Sequence, residues 1–289
     1  MSVARTMKPF GLHNSLCDTP FIGVVLIELS NVSPELLSLK WVPFRVIISF
    51  IMQKKIVDWL KRQVKAAGAK GVVLGLSGGL DSCVVAALAK KAIGSGKVLA
   101  LLMPCHSHVQ DSRDAKLFAR KFGIKTKNID LSKIYDGMIG ILPAADRMTQ
   151  ANIRPRLRMI VLYYFARKMN YLVCGTSNKS EMVAGYFTKF GDGASDILPI
   201  GGLLKTQVRS LAVELGIPQR IIDKAPTAGL WPGQTDEKEM GITYPELDEI
   251  IGKLVRKYPQ RLAKAKVEKV KKLIRCSEHK RQRPACYIP

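Results

Sequence analysis

The stretch Val72-Val73-Leu74-Gly75-Leu76-Ser77-Gly78-Gly79-Leu80-Asp81-Ser82, followed by an Ala-, Leu- and Val-rich run over 83–92, decides the fold. Its first five residues are a short apolar run of the kind buried on both faces of a parallel sheet. The run after Ser82 has the composition of a helix. Between the two, adjacent glycines let the backbone approach an anion closely, and successive N–H groups can form a nest around phosphate. The start of the following helix adds free donors and a favourable dipole. Ser77 and Ser82 add hydroxyls. Asp81 is the odd member, because a carboxylate among phosphates is repelled unless a cation lies between them. Magnesium takes one or two carboxylates together with phosphate oxygens and waters, so Asp81 reads as a magnesium ligand. The Walker pattern GxxxxGK[ST] is absent.

Outward from this loop, strands and helices alternate. Ile56, Val57, Leu60 and Val64 predict a helix over 53–67. Apolar runs predict strands at 98–103, 125–129 and 171–175. Helices are expected at 111–122, capped by Asp111, and at 152–169 and 205–216. A Pro- and Gly-rich loop spans 226–243, and 245–275 reads as helical and very basic. The pattern implies the α/β class: a doubly wound, Rossmann-like parallel sheet flanked by helices, with a basic helical C-terminal extension. Ligands of such sheets sit beyond the carboxyl ends of the strands. Segments 77–82, 103–110 and 176–182 are therefore expected to line one crevice.

Hydrophobic content of 47% and charged content of 24% over 289 residues are ordinary for a globular protein. The charge balance is not: 46 Lys and Arg against 23 Asp and Glu give +23. Such a surface attracts polyanions, and it equally suits a Lys-rich solvated exterior. No RNA-binding module is legible, so no nucleic-acid partner is expected. The six cysteines form no CxxC and no metal-type cluster. Cys83 and Cys174 read as small buried thiols, and a reducing cytoplasm fits. His106 and His108, beside Cys105, have no further ligands near them in sequence and are expected in the crevice wall. The apolar run 21–27 is too short to span a bilayer and lacks a cleavage site, so no membrane partner is expected. Composition shifts at Met52. Residues 1–51 read as an N-terminal extension, either a mis-assigned upstream start or a dispensable arm, and 52–289 as the functional domain.

The loop 77–82 resembles that of the N-type ATP pyrophosphatases, which cleave ATP between its α and β phosphates. Four further segments resemble the NAD synthetase family: Gly175 to Glu181 with Gly185 to Gly193, Leu204 to Arg209, Ala225 to Glu237, and Glu278 to Arg281. They follow one another in the family's order from about residue 52 to the C-terminus. The resemblance implies that the nicotinate carboxylate of deamido-NAD attacks the α-phosphorus of ATP, and that ammonia then displaces AMP from the acyl adenylate. It implies ATP contacts from Gly75, Leu76, Ser77, Gly78, Gly79, Leu80, Asp81, Ser82, Thr176, Lys205 and Thr227. Asp81 and Glu181 would share magnesium, and Lys205 would neutralise phosphate charge, making Asp81 and Lys205 the catalytic pair. Arg156, Lys189, Asp196, His279 and Lys280 would hold deamido-NAD. The short forms of the family imply free ammonia as nitrogen donor, with a separate glutaminase subunit allowed but not required. They also imply a homodimer, for which the stripe Leu157, Ile160, Val161, Tyr164 and Phe165 is the candidate face. The alternative is that this stripe packs on its own sheet. A tRNA-modifying adenylating enzyme, motivated by the charge of +23, is the runner-up.

Overall fold

The computed structural model describes residues 44–231, 233–256 and 263–287. At its centre lies β1 (Gly71–Gly75), with Val72, Val73 and Leu74 fully buried. It pairs in parallel with β2 (Val98–Leu102), Val72 opposite Val98, and with β4 (Tyr171–Val173), Gly71 opposite Tyr171. Strand β3 (Lys125–Asn128) pairs in parallel with β2, giving the order β3-β2-β1-β4. β3 is exposed along its length, and its lysines suit an edge that must not pair further. On the other side, a single parallel bridge from Cys174 to Ile197 prolongs the sheet.

Helices cover both faces, as the alternation implies. On one face α1 (Phe44–Ala66), α2 (Leu80–Ile93) and α8 (Lys205–Glu214) pack against Val72 and Leu74 through Leu60, Val64, Val84, Leu88, Val208 and Leu211. α3 (Val109–Phe122) joins them through Phe118. On the other face α4 (Ser132–Ile141) and α6 (Ile153–Met169) cover Val73, Leu99 and Leu101. Short helix α5 (Arg147–Ala151) precedes α6. Cys83 and Cys174 are buried, and burial pushes both thiols well above their ordinary range.

A third apolar cluster lies beyond the strands' carboxyl ends. It joins α7 (Lys179–Ala184), α10 (Asp236–Met240), α11 (Tyr244–Arg256) and α12 (Lys264–Cys276) around Tyr244, Leu247, Ile250, Val267 and Val270. Short helices α9 (Gln219–Ile222) and α13 (Glu278–Arg281) complete the described chain. Among the described residues, no helix is long and apolar enough to cross a membrane.

Several local expectations are corrected. α1 starts at Phe44 rather than 53 and runs through Met52 without a break; residues 1–43 lie outside the described residues. α3 starts two residues early and is capped by His108, whose Nδ1 accepts from the Gln110 N–H at 3.2 Å, not by Asp111. The basic segment 245–275, expected to be helical, carries α11 and α12 among the described residues. The loop expected over 226–243 contains α10. The apolar stripe of α6 is divided: Leu157, Val161 and Phe165 pack on the sheet, whereas Ile160 and Tyr164 are 58% and 59% exposed.

Candidate active site

A cavity of about 870 Å³ opens at the carboxyl ends of β1, β2 and β4. It is lined by Gly75, Leu76, Ser77, Gly79, Leu80, Asp81 and Ser82 from the first crossover, and by Thr176, Glu181, Lys205, Thr227 and Lys280 from later in the chain. Gly78 is not among the lining residues. At φ +79° its backbone runs so close to α3 that a Cβ there would stand 2.3 Å from the Asp111 carbonyl oxygen. This contact sets the loop against α3, while the neighbouring N–H groups are taken up inside the loop, that of Ser77 donating to Ser82 Oγ at 3.3 Å. Within the loop the Ser82 hydroxyl donates to the Gly79 carbonyl at 2.9 Å, and the Gly79 N–H donates to Ser77 Oγ at 3.2 Å. The turn is thus held by its own serines.

The chemical centre is where three charged groups from three elements meet. Lys205 Nζ donates to Asp81 Oδ2 and, at 3.1 Å, to Glu181 Oε1. Asp81 lies in the first turn of α2 after β1, Glu181 lies in α7 after β4, and Lys205 is the first residue of α8. Burial pulls the Lys205 ammonium toward neutrality, but the charges of Asp81 and Glu181 outweigh it and hold its pKa above the ordinary lysine value. Burial pushes the Glu181 carboxyl up to about 7 against the pull of Lys205, with Asp81 and Asp236 pushing the same way. Two carboxylates gathered on one ammonium beside the loop 77–82 are a donor set that suits a hard divalent cation.

Sequence reasoning missed the residue that aligns the two carboxylates. Asn178 caps α7 reciprocally: its Oδ1 accepts from the Glu181 N–H at 3.0 Å, while Glu181 Oε2 accepts from the Asn178 N–H at 3.2 Å. Its Nδ2 also donates to Asp81 Oδ1 at 3.1 Å. The signal was present, since Asn-x-x-Glu before an apolar run is a capping-box pattern. Also missed was the group Asp236, Tyr244, Tyr186 and Glu239. The Tyr244 hydroxyl donates to Asp236 at 2.9 Å, the Tyr186 hydroxyl donates to Glu239 at 2.5 Å, and all four line the cavity. Burial, before any other influence, raises the Asp236 carboxyl above its ordinary value.

The residues expected to hold deamido-NAD fall in two places. Lys280 lines the cavity and donates to the carbonyls of Gly185 and Phe187 at 2.8 and 3.0 Å. Arg156, Lys189 and His279 stand together outside the cavity lining: Arg156 donates to the Lys189 carbonyl at 3.3 Å, and Lys189 Nζ donates to the His279 carbonyl at 2.5 Å. Asp196 is elsewhere, its carboxylate accepting from the Val173 N–H at 2.7 Å and from the Tyr163 hydroxyl at 3.4 Å. Arg158, two residues after Arg156, does line the cavity, and it donates to the Met103 carbonyl at 3.2 Å. The two histidines expected in the wall are not in it. His106 pairs with Asp136 at 2.7 Å and His108 caps α3, while Ser107 between them reaches the cavity.

The family described as NAD synthase matches residues 52–284. The chain belongs to this family. An NH(3)-dependent NAD(+) synthetase of Archaeoglobus fulgidus is 48% identical over 233 residues, which cover 80% of this chain and 94% of that one. One from Carboxydothermus hydrogenoformans is 45% identical over 236 residues, with 80% and 94% covered. Among solved structures, the NH3-dependent NAD synthetase of Campylobacter jejuni aligns with a TM-score of 0.73 at 30% identity, covering 83% of this chain and 99% of that one. The NMN synthetase of Francisella tularensis aligns with a TM-score of 0.76 at 38% identity, covering 83% and 98%. The family membership agrees with the parallel sheet and with the placement of the cleft at its carboxyl edge.

Proposed function

We infer that the chain is an ammonia-using, C–N bond-forming ligase that converts deamido-NAD to NAD, with ATP giving AMP and pyrophosphate. The observation that carries this reading is the meeting of Asp81, Glu181 and Lys205 at the phosphate loop of a chain so similar to NH(3)-dependent NAD(+) synthetases. A carboxylate is a poor acyl donor because its leaving group would be oxide. Adenylation supplies AMP as the leaving group instead. The protein's part is then positioning and charge stabilisation, without a protein nucleophile.

The phosphates of ATP lie against the N–H groups of the loop 77–82 and the start of α2, with Thr176 and Thr227 at the nucleotide. Asp81 and Glu181 would hold magnesium, which would supply neutralisation of the phosphate charge. Lys205, already between the two carboxylates, turns its ammonium to the phosphate oxygens as negative charge grows on the departing pyrophosphate. The nicotinate carboxylate approaches the α-phosphorus from the side of Arg158 and Lys280. Arg156, Lys189 and His279 form one surface beside the cleft, which supports their holding the distal part of deamido-NAD. Ile160 and Tyr164 lie exposed on α6, a face suited to a second subunit of a homodimer. Ammonia enters as a free molecule, and the reaction runs in the cytoplasm.

A second reading comes from the structural likeness to the Francisella NMN synthetase. In that case the acid amidated is nicotinate mononucleotide. One assay separates the two. The protein is incubated with ATP, magnesium and ammonium and with either acid in turn. Faster formation of NAD than of NMN, by kcat/KM, supports the first reading. Preference for the mononucleotide reverses it. Glutamine in place of ammonium should give little product.

A further inference from the structure

The two helices that present Glu181 and Lys205 are tied together behind the cleft by one buried carboxylate. Asp248, in the second turn of α11, is only 5% exposed, and its side chain faces the two helix starts rather than the cavity. Its Oδ1 accepts from the Ser180 hydroxyl, and its Oδ2 accepts from the Thr206 N–H at 2.8 Å. Ser180 Oγ in turn accepts from the Lys205 N–H at 2.9 Å. Ser180 directly precedes Glu181, and Thr206 directly follows Lys205. A helix start leaves its first N–H groups without partners inside the helix. In α8 the residue before Lys205 is Leu204, which has no polar side chain to offer. The first two N–H groups are taken by Ser180 and Asp248 instead, so the starting point of α8 is fixed from α7 and α11.

We propose that Asp248 is a positioning residue of the ATP-cleaving centre, and that its two oxygens set the spacing of Glu181 and Lys205. The inference rests on the proposed reaction, in which those two groups act together on the phosphates. Asp248 touches neither substrate nor reacting atoms. It accepts two donors at once, which an amide at the same place cannot do, because one face of the amide is itself a donor. Asp248→Asn therefore leaves either the Ser180 hydroxyl or the Thr206 N–H without its acceptor and lets α7 and α8 move apart. Misplacement of reacting groups by about 1 Å costs on the order of 10²-fold in rate.

The test compares wild type, Asp248→Asn, Ser180→Ala and the control Glu249→Gln, whose side chain is 46% exposed beside Asp248. Each protein is melted thermally, assayed for kcat and KM, and titrated with manganese in the presence of α,β-methylene-ATP by electron paramagnetic resonance. Asp248→Asn is expected to melt cooperatively, to lose kcat by roughly 10- to 100-fold and to bind manganese about 10-fold more weakly, with KM for deamido-NAD little changed. Ser180→Ala should move the same quantities in the same direction, and Glu249→Gln should move neither. A folded Asp248→Asn with kcat and manganese affinity within about twofold of wild type overturns the proposal. If Asp248→Asn does not fold, Ser180→Ala decides by the same criterion. If wild type forms no NAD, the reading of the reaction fails, and the manganese titration alone decides the role of Asp248.

Discussion

Lys205→Met takes away the charge at the centre of the site while keeping most of the side chain's volume. The ammonium lies between Asp81 and Glu181, with the ring of Tyr244 5.0 Å from it. Methionine retains the packing on that ring and removes the counter-ion. At an effective dielectric of about 20, unit charges 3.1 Å apart attract by roughly 5 kcal/mol, and the desolvation of the ammonium offsets part of this. Removing one partner of a buried pair costs about 3–5 kcal/mol. The two carboxylates are 17% and 16% exposed and reach the open cleft, so the lower end, about 3 kcal/mol, applies. For a domain of this size that is a fall of roughly 6–12 °C in Tm. A divalent cation should then replace the missing ammonium, and magnesium should raise the Tm of Lys205→Met by more than it raises that of wild type. Scanning fluorimetry with and without saturating magnesium reads both effects. The rate of NAD formation should fall by roughly 10²- to 10³-fold at any magnesium concentration, because the cation proposed to face the phosphates is gone. A variant that melts within about 2 °C of wild type would refute the reasoning, as would equal stabilisation of both proteins by magnesium.

Other outcomes follow from the same geometry. Asp81→Ala should lose roughly 10²- to 10³-fold in kcat while keeping a cooperative melt; near-normal turnover would remove Asp81 from the metal site. Gly78→Ala must place a Cβ 2.3 Å from the Asp111 carbonyl at positive φ and should cost on the order of 2 kcal/mol, read by urea denaturation. Asp114 governs part of the acid limb of stability. Burial raises its carboxyl, but hydrogen bonds from Arg220, Gln110 and Lys224 outweigh this and hold it below its ordinary value. Its contribution is therefore complete above the ordinary carboxylate range and is lost as pH falls through the depressed folded value, so Asp114→Asn should destabilise at neutral pH and converge on wild type in acid. A stability gap between the two proteins that does not shrink on acidification would contradict this. The segment 226–235, held by Arg154 on the Leu230 carbonyl and by Arg147 over the Trp231 ring, should be cleaved more slowly by protease when ATP and deamido-NAD are present. Equal cleavage in both states would show that it does not close over the site.

The sheet was readable because its central strand is a continuous apolar run followed at once by a loop whose residue types have a chemical reason to be there. β1, β2 and the helix after the loop fall within a few residues of the expected bounds. The errors lie where one side chain decides. Asp111 looks like a helix cap in sequence, yet its carboxylate takes the Lys224 ammonium at 2.5 Å, and His108 caps the helix instead. In the basic C-terminal segment, α11 and α12 each turn an apolar stripe toward α7. At the site, Asp81, Glu181 and Lys205 were each legible from motif and charge. The meeting of Asp81 with Glu181 was expected because both leave strand ends, whereas the seat of the Lys205 ammonium between them was not, since Lys205 lies 124 and 24 residues from them in sequence. Asn178 showed only as a helix cap, and its bond to Asp81, 97 residues away, did not show. Asp248 was invisible for a different reason: its role consists of hydrogen bonds to a side chain and a backbone group distant in sequence, and a lone carboxylate on a helix is usually no more than a solvated polar residue.

The central claim is that a carboxylate oxygen of the substrate attacks the α-phosphorus of ATP. Deamido-NAD carrying oxygen-18 in both carboxylate oxygens tests this directly, with ammonium, magnesium and unlabelled ATP, and mass spectrometry of the products. One labelled oxygen should appear in AMP and one in the amide carbonyl of NAD, with none in pyrophosphate. Label in released inorganic phosphate, with ADP as the nucleotide product, would contradict the account.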